Sequence, residues 1–212
     1  MKNDLKRTEF INLLKSTERE GIDEVIEELD TIGFFEAPAS ARHHLNDDGG
    51  LLEHSLNVYY CSLKVRDMMA EFRPELKEEC PDNSIIIAAL LHDVCKSDIY
   101  KKATRRHKGK DGKPEYYTGY NLDYSNFPLG HGEKSVIMLL RCGLAMSDYE
   151  IMAIRWHMTA WDLPFQSTEL RKNLNTSREI CPLCTIIQAG DNLAAGILEK
   201  KVEEEDDDYF DF

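Results

Sequence analysis

The stretch Ile85–Lys96, IIIAALLHDVCK, preceded by Pro81-Asp82-Asn83-Ser84, decides the fold. The four preceding residues are helix-start residues: Asp, Asn and Ser accept hydrogen bonds from first-turn N–H groups, and Pro lacks a donor that would go unused there. The run that follows is apolar nearly all round and too long for a typical strand, so it predicts a central buried helix. At its end stand His92 and Asp93. In so apolar a setting an unpaired carboxylate costs several kcal/mol of desolvation, so something positive must meet Asp93.

Other helical segments surround this one. Ile22, Val25, Ile26, Leu29 and Ile32 recur at helical spacing and stop at Gly33, and a further helix is expected over residues 3 to 16. After the Asp47-Asp48-Gly49-Gly50 turn, Leu52, Leu56, Tyr59 and Leu63 form one helical stripe. His54, Val58, Cys61 and Val65 form a second, so His54 begins an apolar stripe. Helical pattern returns over residues 132 to 142 and after the capping box Ser147-Asp148-Tyr149-Glu150, in a helix ending near His157. The last long helix is expected from Pro182 to Lys200.

Residues 98 to 130 differ in character. Lys101–Lys113 carries seven Lys or Arg against one Asp, with Lys110-Asp111-Gly112-Lys113 as a turn and Tyr116, Tyr117, Tyr120, Tyr124 and Phe127 after it. A β-hairpin or flap is expected. The whole chain of 212 residues has a net charge of -13, which argues against duplex DNA as a partner. A local basic patch on an acidic body suits a small phosphorylated substrate.

No run of 18 apolar residues exists and the opening MKNDLKRTEF lacks a secretory pattern, so a membrane span and export are not expected and the cytoplasm is the default. Six scattered cysteines read as reduced thiols. Cys181 and Cys184 have the spacing of half a zinc site, but no second pair accompanies them and they open an apolar helical run, which makes them structural.

Asp191 repeats the problem posed by Asp93, because IIQAGDNLAAGIL surrounds it with apolar residues, and Gly190 beside it admits the close approach of another backbone. Two inward carboxylates and two inward imidazoles, His54 and His92, on three helices are the N/O set that a divalent transition metal takes in a helix-bundle core. Taken singly, each Asp pairing with a Lys or Arg and each His being a satisfied core residue explains them as well.

Together, GGLLEHSLNV, AALLHDVCK and GDNLAA resemble, in order and context, the HD-domain superfamily of metal-dependent phosphohydrolases. The resemblance covers residues 40 to 198. It implies an all-α helical bundle with His54, His92, Asp93 and Asp191 as ligands of a first ion. The expected organisation is N-terminal helices packing on the core over 1–39, the HD domain over 40–200, and a disordered acidic tail over 201–212. His131 and His157 resemble the extra ligands of the dinuclear branch, although some relatives carry His-His where this chain has Trp156-His157. One or two divalent ions are therefore expected, of Mn, Fe, Co, Ni or Zn, with Mg admitted. Lys96 matches a basic residue that follows HD in many members and would hold a phosphate. Lys134 and Arg155 are read as exposed salt bridges. His43 and His44 resemble a His-His pair found at this place in HD domains of RNA-trimming exonucleases.

The implied activity is hydrolysis of a phosphate ester of a nucleotide or short oligonucleotide by a metal-activated water. Asp93 and Lys96 are the expected catalytic residues, and Lys96, Arg105, Arg106, His43 and His44 the expected substrate-binding ones. Two other readings stay open: an HD-type diiron oxygenase, and a non-catalytic nucleotide-binding HD domain.

Overall fold

A computed structural model of the chain describes residues 2–41, 45–108, 112–159 and 168–199. Helices α1 (Lys2–Ser16) and α2 (Ile22–Thr31) precede a short 3-10 turn at Phe34–Glu36 and the long α3 (Gly50–Ala70). The short α4 (Leu76–Glu79), the apolar α5 (Asp82–Leu91) and the short α6 (Lys96–Ile99) follow. Next comes an antiparallel hairpin of β1 (Tyr100–Lys108) and β2 (Pro114–Leu122). The chain returns to helix in α7 (His131–Arg141), α8 (Asp148–Trp156), α9 (Thr168–Ile180) and α10 (Pro182–Leu193), and a π-helical turn over Ala194–Leu198 extends α10. The mostly helical fold with a hairpin insertion agrees with the expectation. The acidic tail 201–212 and the pair His43-His44 lie outside the described residues.

The apolar run occupies the centre because no face of it can be given to water. Ser84 to Leu91 are all buried, and α5 packs against α1, α3, α8 and α10. α5 stops at Leu91, and residues 92–95 form a turn, which leaves His92 and Asp93 at the helix's C-terminal end rather than inside it. The capping box at α8 is present in full, and its Glu150 carboxylate, with no solvent exposure, does more than cap. It also accepts two hydrogen bonds from Arg19, at 3.0 and 2.8 Å, and one from Ser84 Oγ at 2.7 Å. One carboxylate thus ties the α1–α2 connection to the starts of α5 and α8, and the bidentate pairing offsets its desolvation.

α10 lies against α3 at the closest approach that glycine permits. A Cβ on Gly190 would meet Ser62 Oγ at 2.1 Å, Ser62 N at 2.9 Å and Val58 O at 3.0 Å. Two of these atoms are backbone and cannot rotate away. Gly190→Ala is therefore expected to cost about 1–3 kcal/mol through overpacking, measured as a lower midpoint of chemical denaturation; an unchanged midpoint would refute the close packing. Because Asp191 is the next residue, the same change is expected to shift its carboxylate.

Candidate metal centre

Four elements converge on one point below the end of α5. α3 brings His54, the C-terminal end of α5 brings His92 and Asp93, the end of α8 brings His157, and α10 brings Asp191. The three histidines and Asp93 are each 2% exposed or less, while the Asp191 side chain is 22% exposed and so faces the opening. His92 and His157 each follow directly on the last residue of a helix, and both use the same local device. The Nδ1–H of His92 donates to Ala89 O at 2.8 Å and that of His157 to Ile154 O at 2.7 Å. Last-turn carbonyls have no helical partner, so each ring satisfies one and in return is fixed with Nε2 pointing inward. His54 is held from the other side, its Nδ1 lying 3.0 Å and 3.1 Å from the carboxylate oxygens of Glu199.

The Nε2 atoms gather on Asp93. His92 Nε2 lies 3.1 Å and His54 Nε2 3.6 Å from Oδ2, whereas His157 Nε2 lies 3.3 Å from Oδ1. Asp191 Oδ1 stands 3.3 Å from His54 Nε2. Nε2 of His92, Nε2 of His157 and Oδ1 of Asp93 are buried with no hydrogen-bond partner among the described residues. Buried polar atoms in that state are costly unless something coordinates them. One ligand atom each from His54, His92 and Asp93 lies within 4.8 Å of the others, close enough to share one ion. Converging imidazole nitrogens and carboxylate oxygens are donors for a divalent transition metal, so the residues present fit such an ion.

The electrostatics agree. Burial pushes the Asp93 carboxyl up, but Lys96 and the three imidazoles outweigh it and hold it well below the usual carboxylate range. Burial opposes the charged form of His54, yet the carboxylates of Asp191, Asp93 and Glu199 raise it well above the ordinary imidazole value. His157 is raised in the same way, chiefly by Asp93 against its own burial. The pocket therefore demands positive charge. Lys96 supplies some, with Nζ 2.6 Å from Asp93 Oδ2 and its side chain 11% exposed.

The expected residues are not all gathered here. His131 is the first residue of α7, with Nε2 3.3 Å from the Tyr124 hydroxyl. Arg105 and Arg106 fall on opposite faces of the hairpin, as neighbours on a strand must. Arg105 donates to Tyr120 O at 2.6 Å and Asn121 Oδ1 at 2.7 Å, whereas Arg106 is exposed and pairs in register with Tyr116. The face with Arg106 also carries Tyr100, whose hydroxyl is raised to about 12 by burial against the opposing effect of Lys96, with Asp93 adding to the rise.

Two expectations need correction. Lys134 is not an exposed salt bridge: it is 1% exposed and donates to Asp98 and to Asn126 O, fastening the loop before α7. Arg155 is half-buried, lying 4.4 Å over the Trp156 ring and 4.0 Å from Glu133. Cys181 and Cys184 are buried free thiols, outside the one compact His/Cys/Asp/Glu group found among the described residues. Glu199, which the α-helical pattern does not single out, is the residue that sequence reasoning misses.

A helical bundle that closes a His, His-Asp and Asp set around one point is a metal-binding helical fold, and comparison with known proteins identifies it. The family model described as "HD domain" matches residues 51–196, and the chain belongs to that family. A curated relative, the dihydroneopterin 2',3'-cyclic phosphate phosphodiesterase of Methanocaldococcus jannaschii, is 36% identical over 89 residues, which are 42% of this chain and 32% of that protein. The aligned stretch thus spans about a third of the relative's length. No solved structure matches the chain. Among the described residues no single helix is long and apolar enough to cross a membrane.

Proposed function

We propose that this protein is a metal-dependent phosphohydrolase acting on a small, nucleotide-like phosphate ester, with a 2',3'-cyclic phosphodiester as the first substrate to try. The observation that carries the reading is the convergence of three inward Nε2 atoms on the two oxygens of Asp93, with the Lys96 ammonium alongside. His54, His92, Asp93 and Asp191 would hold an ion. His157, on the opposite oxygen of Asp93 from His92, would with Asp93 hold a second ion. His131, at the start of α7, would be a further ligand of that second ion. A bound divalent ion would supply an acidified water and neutralise phosphoryl oxygens, the chemistry that makes a Ser or Cys nucleophile unnecessary.

The chain's own residues do the rest. Lys96 would orient a phosphoryl oxygen beside Asp93, and burial strengthens that contact relative to one in water. On the hairpin, Arg106 and the 68% exposed Tyr116 stand side by side across the strands, a guanidinium for phosphate and a ring for a base. The relative's name describes a 2',3'-cyclic phosphate as that protein's substrate, which supports the same bond type here.

The test is hydrolysis of 2',3'-cyclic nucleotides and linear nucleotide monoesters by metal-replete protein, with manganese, cobalt or magnesium added. Release that a chelator stops and manganese restores is expected; failure on every substrate with bound metal would refute the reading. Two bound irons with oxygen uptake and no phosphate chemistry would replace it with the oxygenase. Arg106→Ala and Tyr116→Ala are each expected to raise KM by about 5- to 150-fold, in line with about 1–3 kcal/mol for a stacked base. The expected kcat is near wild type, and unchanged KM in both variants would remove the hairpin from the substrate site.

A further inference from the structure

The end of the last helix bears on His54 in a way that the metal reading alone does not require. Asp191 lies in α10 and Glu199 caps the π-helical turn that extends it, and the two reach the two nitrogens of the same ring: Asp191 Oδ1 is 3.3 Å from Nε2, and Glu199 is 3.0 Å from Nδ1. Glu199 is 6% exposed and its Oε1 also accepts from Asn57 Nδ2 at 3.0 Å, one helical turn beyond His54. Eight residues of uninterrupted α-helix would turn Glu199 about 80° from the direction of Asp191. The segment Ala194–Leu198 is instead π-helical, with Glu199 N bonding to Ala194 O at 3.0 Å. Roughly 4.4 residues per turn over those five positions remove about 90° of rotation and bring Glu199 back to within about 10° of the face of Asp191.

We propose that Glu199 is a positioning residue for the metal centre. It fixes His54 with its proton on Nδ1 and its Nε2 lone pair inward, and the π-helical turn is the device that delivers it. The matched family region ends at residue 196, so this carboxylate lies beyond it. A carboxylate behind a ligating imidazole sets the ring's tautomer and orientation and raises its basicity, and losing one typically lowers metal affinity about 10–100-fold. Asp191 by itself cannot do this, because it faces the nitrogen that would carry the ion. The inference rests on the metal reading above but is tested through binding, not turnover.

The test uses the full chain and cobalt(II) alone, with affinity read by competition against a chromophoric chelator and geometry by the visible spectrum of the bound ion. Glu199→Ala is expected to weaken cobalt about 10–100-fold, and Glu199→Gln, which keeps an acceptor oxygen without the charge, by less. Deleting Gly196 converts the turn to α-helix yet leaves the carboxylate seven positions after Asp191, about 20° from its face, so this variant is expected to keep affinity near that of the wild type. Wild-type affinity and spectrum in both Glu199 variants would overturn the proposal. So would a fall in the metal-free unfolding temperature with affinity unchanged, which is the mark of a purely structural contact. Should the alanine variant not fold, the glutamine variant decides by the same affinity criterion. Wild-type protein that binds no cobalt would overturn the metal reading itself, a failure told apart because it precedes any substitution.

Discussion

Asp93→Ala is expected to abolish tight metal binding and to lower phosphoester hydrolysis by at least about 10³-fold, since several kcal/mol of charge stabilisation goes with the ion. The physical reason is that Asp93 is the shared centre of the cluster. His54, His92 and Lys96 face one of its oxygens and His157 the other, and its carboxylate is 2% exposed. Without it, three imidazoles and an ammonium face a cavity in which Asp191, 22% exposed, is the remaining inward carboxylate of the set. The Lys96 ammonium, left without its carboxylate, repels a cation. Asp93→Asn separates charge from shape, because it fills the same volume with no charge; it is expected to lose metal as the alanine variant does. Metal content by elemental analysis and rates with saturating manganese, on protein shown to be helical by circular dichroism, check this. Stoichiometric metal in Asp93→Asn would mean that the ion does not sit on this carboxylate.

The fold was legible wherever burial left a pattern. α5 is apolar all round and so had to be central, and the stripes of α2 and α3, the Gly33 stop and the α8 capping box are each local signals. α9 shows the limit. TELRKNLNTSREI is polar, with Leu174 and Ser177 its buried residues, so no apolar period marks it as a helix. The hairpin was readable from its turn residues and the aromatic residues that follow them, but the burial of Lys134 was not. Its partner Asp98 is 36 residues away, and no local pattern records so distant a pairing.

The proposed ligand set was legible for a related reason. His54, His92, Asp93 and Asp191 are polar groups in apolar settings, and each setting can be read within about ten residues of sequence. His157 was nearly as plain, at the end of a helix. Glu199 was hidden twice over. It precedes the acidic run 203–208, where one more carboxylate carries no information, and α-helical counting puts it on the wrong face. The π-helical turn changes that count, and nothing in AAGIL announces it. Arg105 and Arg106 were read as one basic patch, and a strand divides such a pair between its faces whatever their shared charge. What sequence carried, then, was which residues must be inside; what it lacked was the rotation that decides which of them meet.

Lys96→Met is expected to lower hydrolysis by about 10²–10³-fold while leaving metal affinity equal to or above that of the wild type. This divergence distinguishes it from the Asp93 variants, which lose both. Lys96 sits with Nζ 2.6 Å from Asp93 Oδ2, and the neighbouring carboxylates, Asp93 first, hold its ammonium charged against the effect of burial. In metal-free protein it is the fixed counter-ion of Asp93. An ion entering the cluster brings like charge next to it, so removing the ammonium relieves repulsion, and methionine fills the stem's volume without strain. The ammonium's remaining task is toward a phosphoryl oxygen, and that contribution is lost outright. Metal-free Lys96→Met leaves a buried carboxylate without its ammonium, at a cost of about 3–5 kcal/mol. The rise in unfolding temperature on adding manganese is therefore expected to be larger in Lys96→Met than in wild type. A variant that loses metal and activity in parallel would instead make Lys96 a support for Asp93, with no direct hold on the substrate.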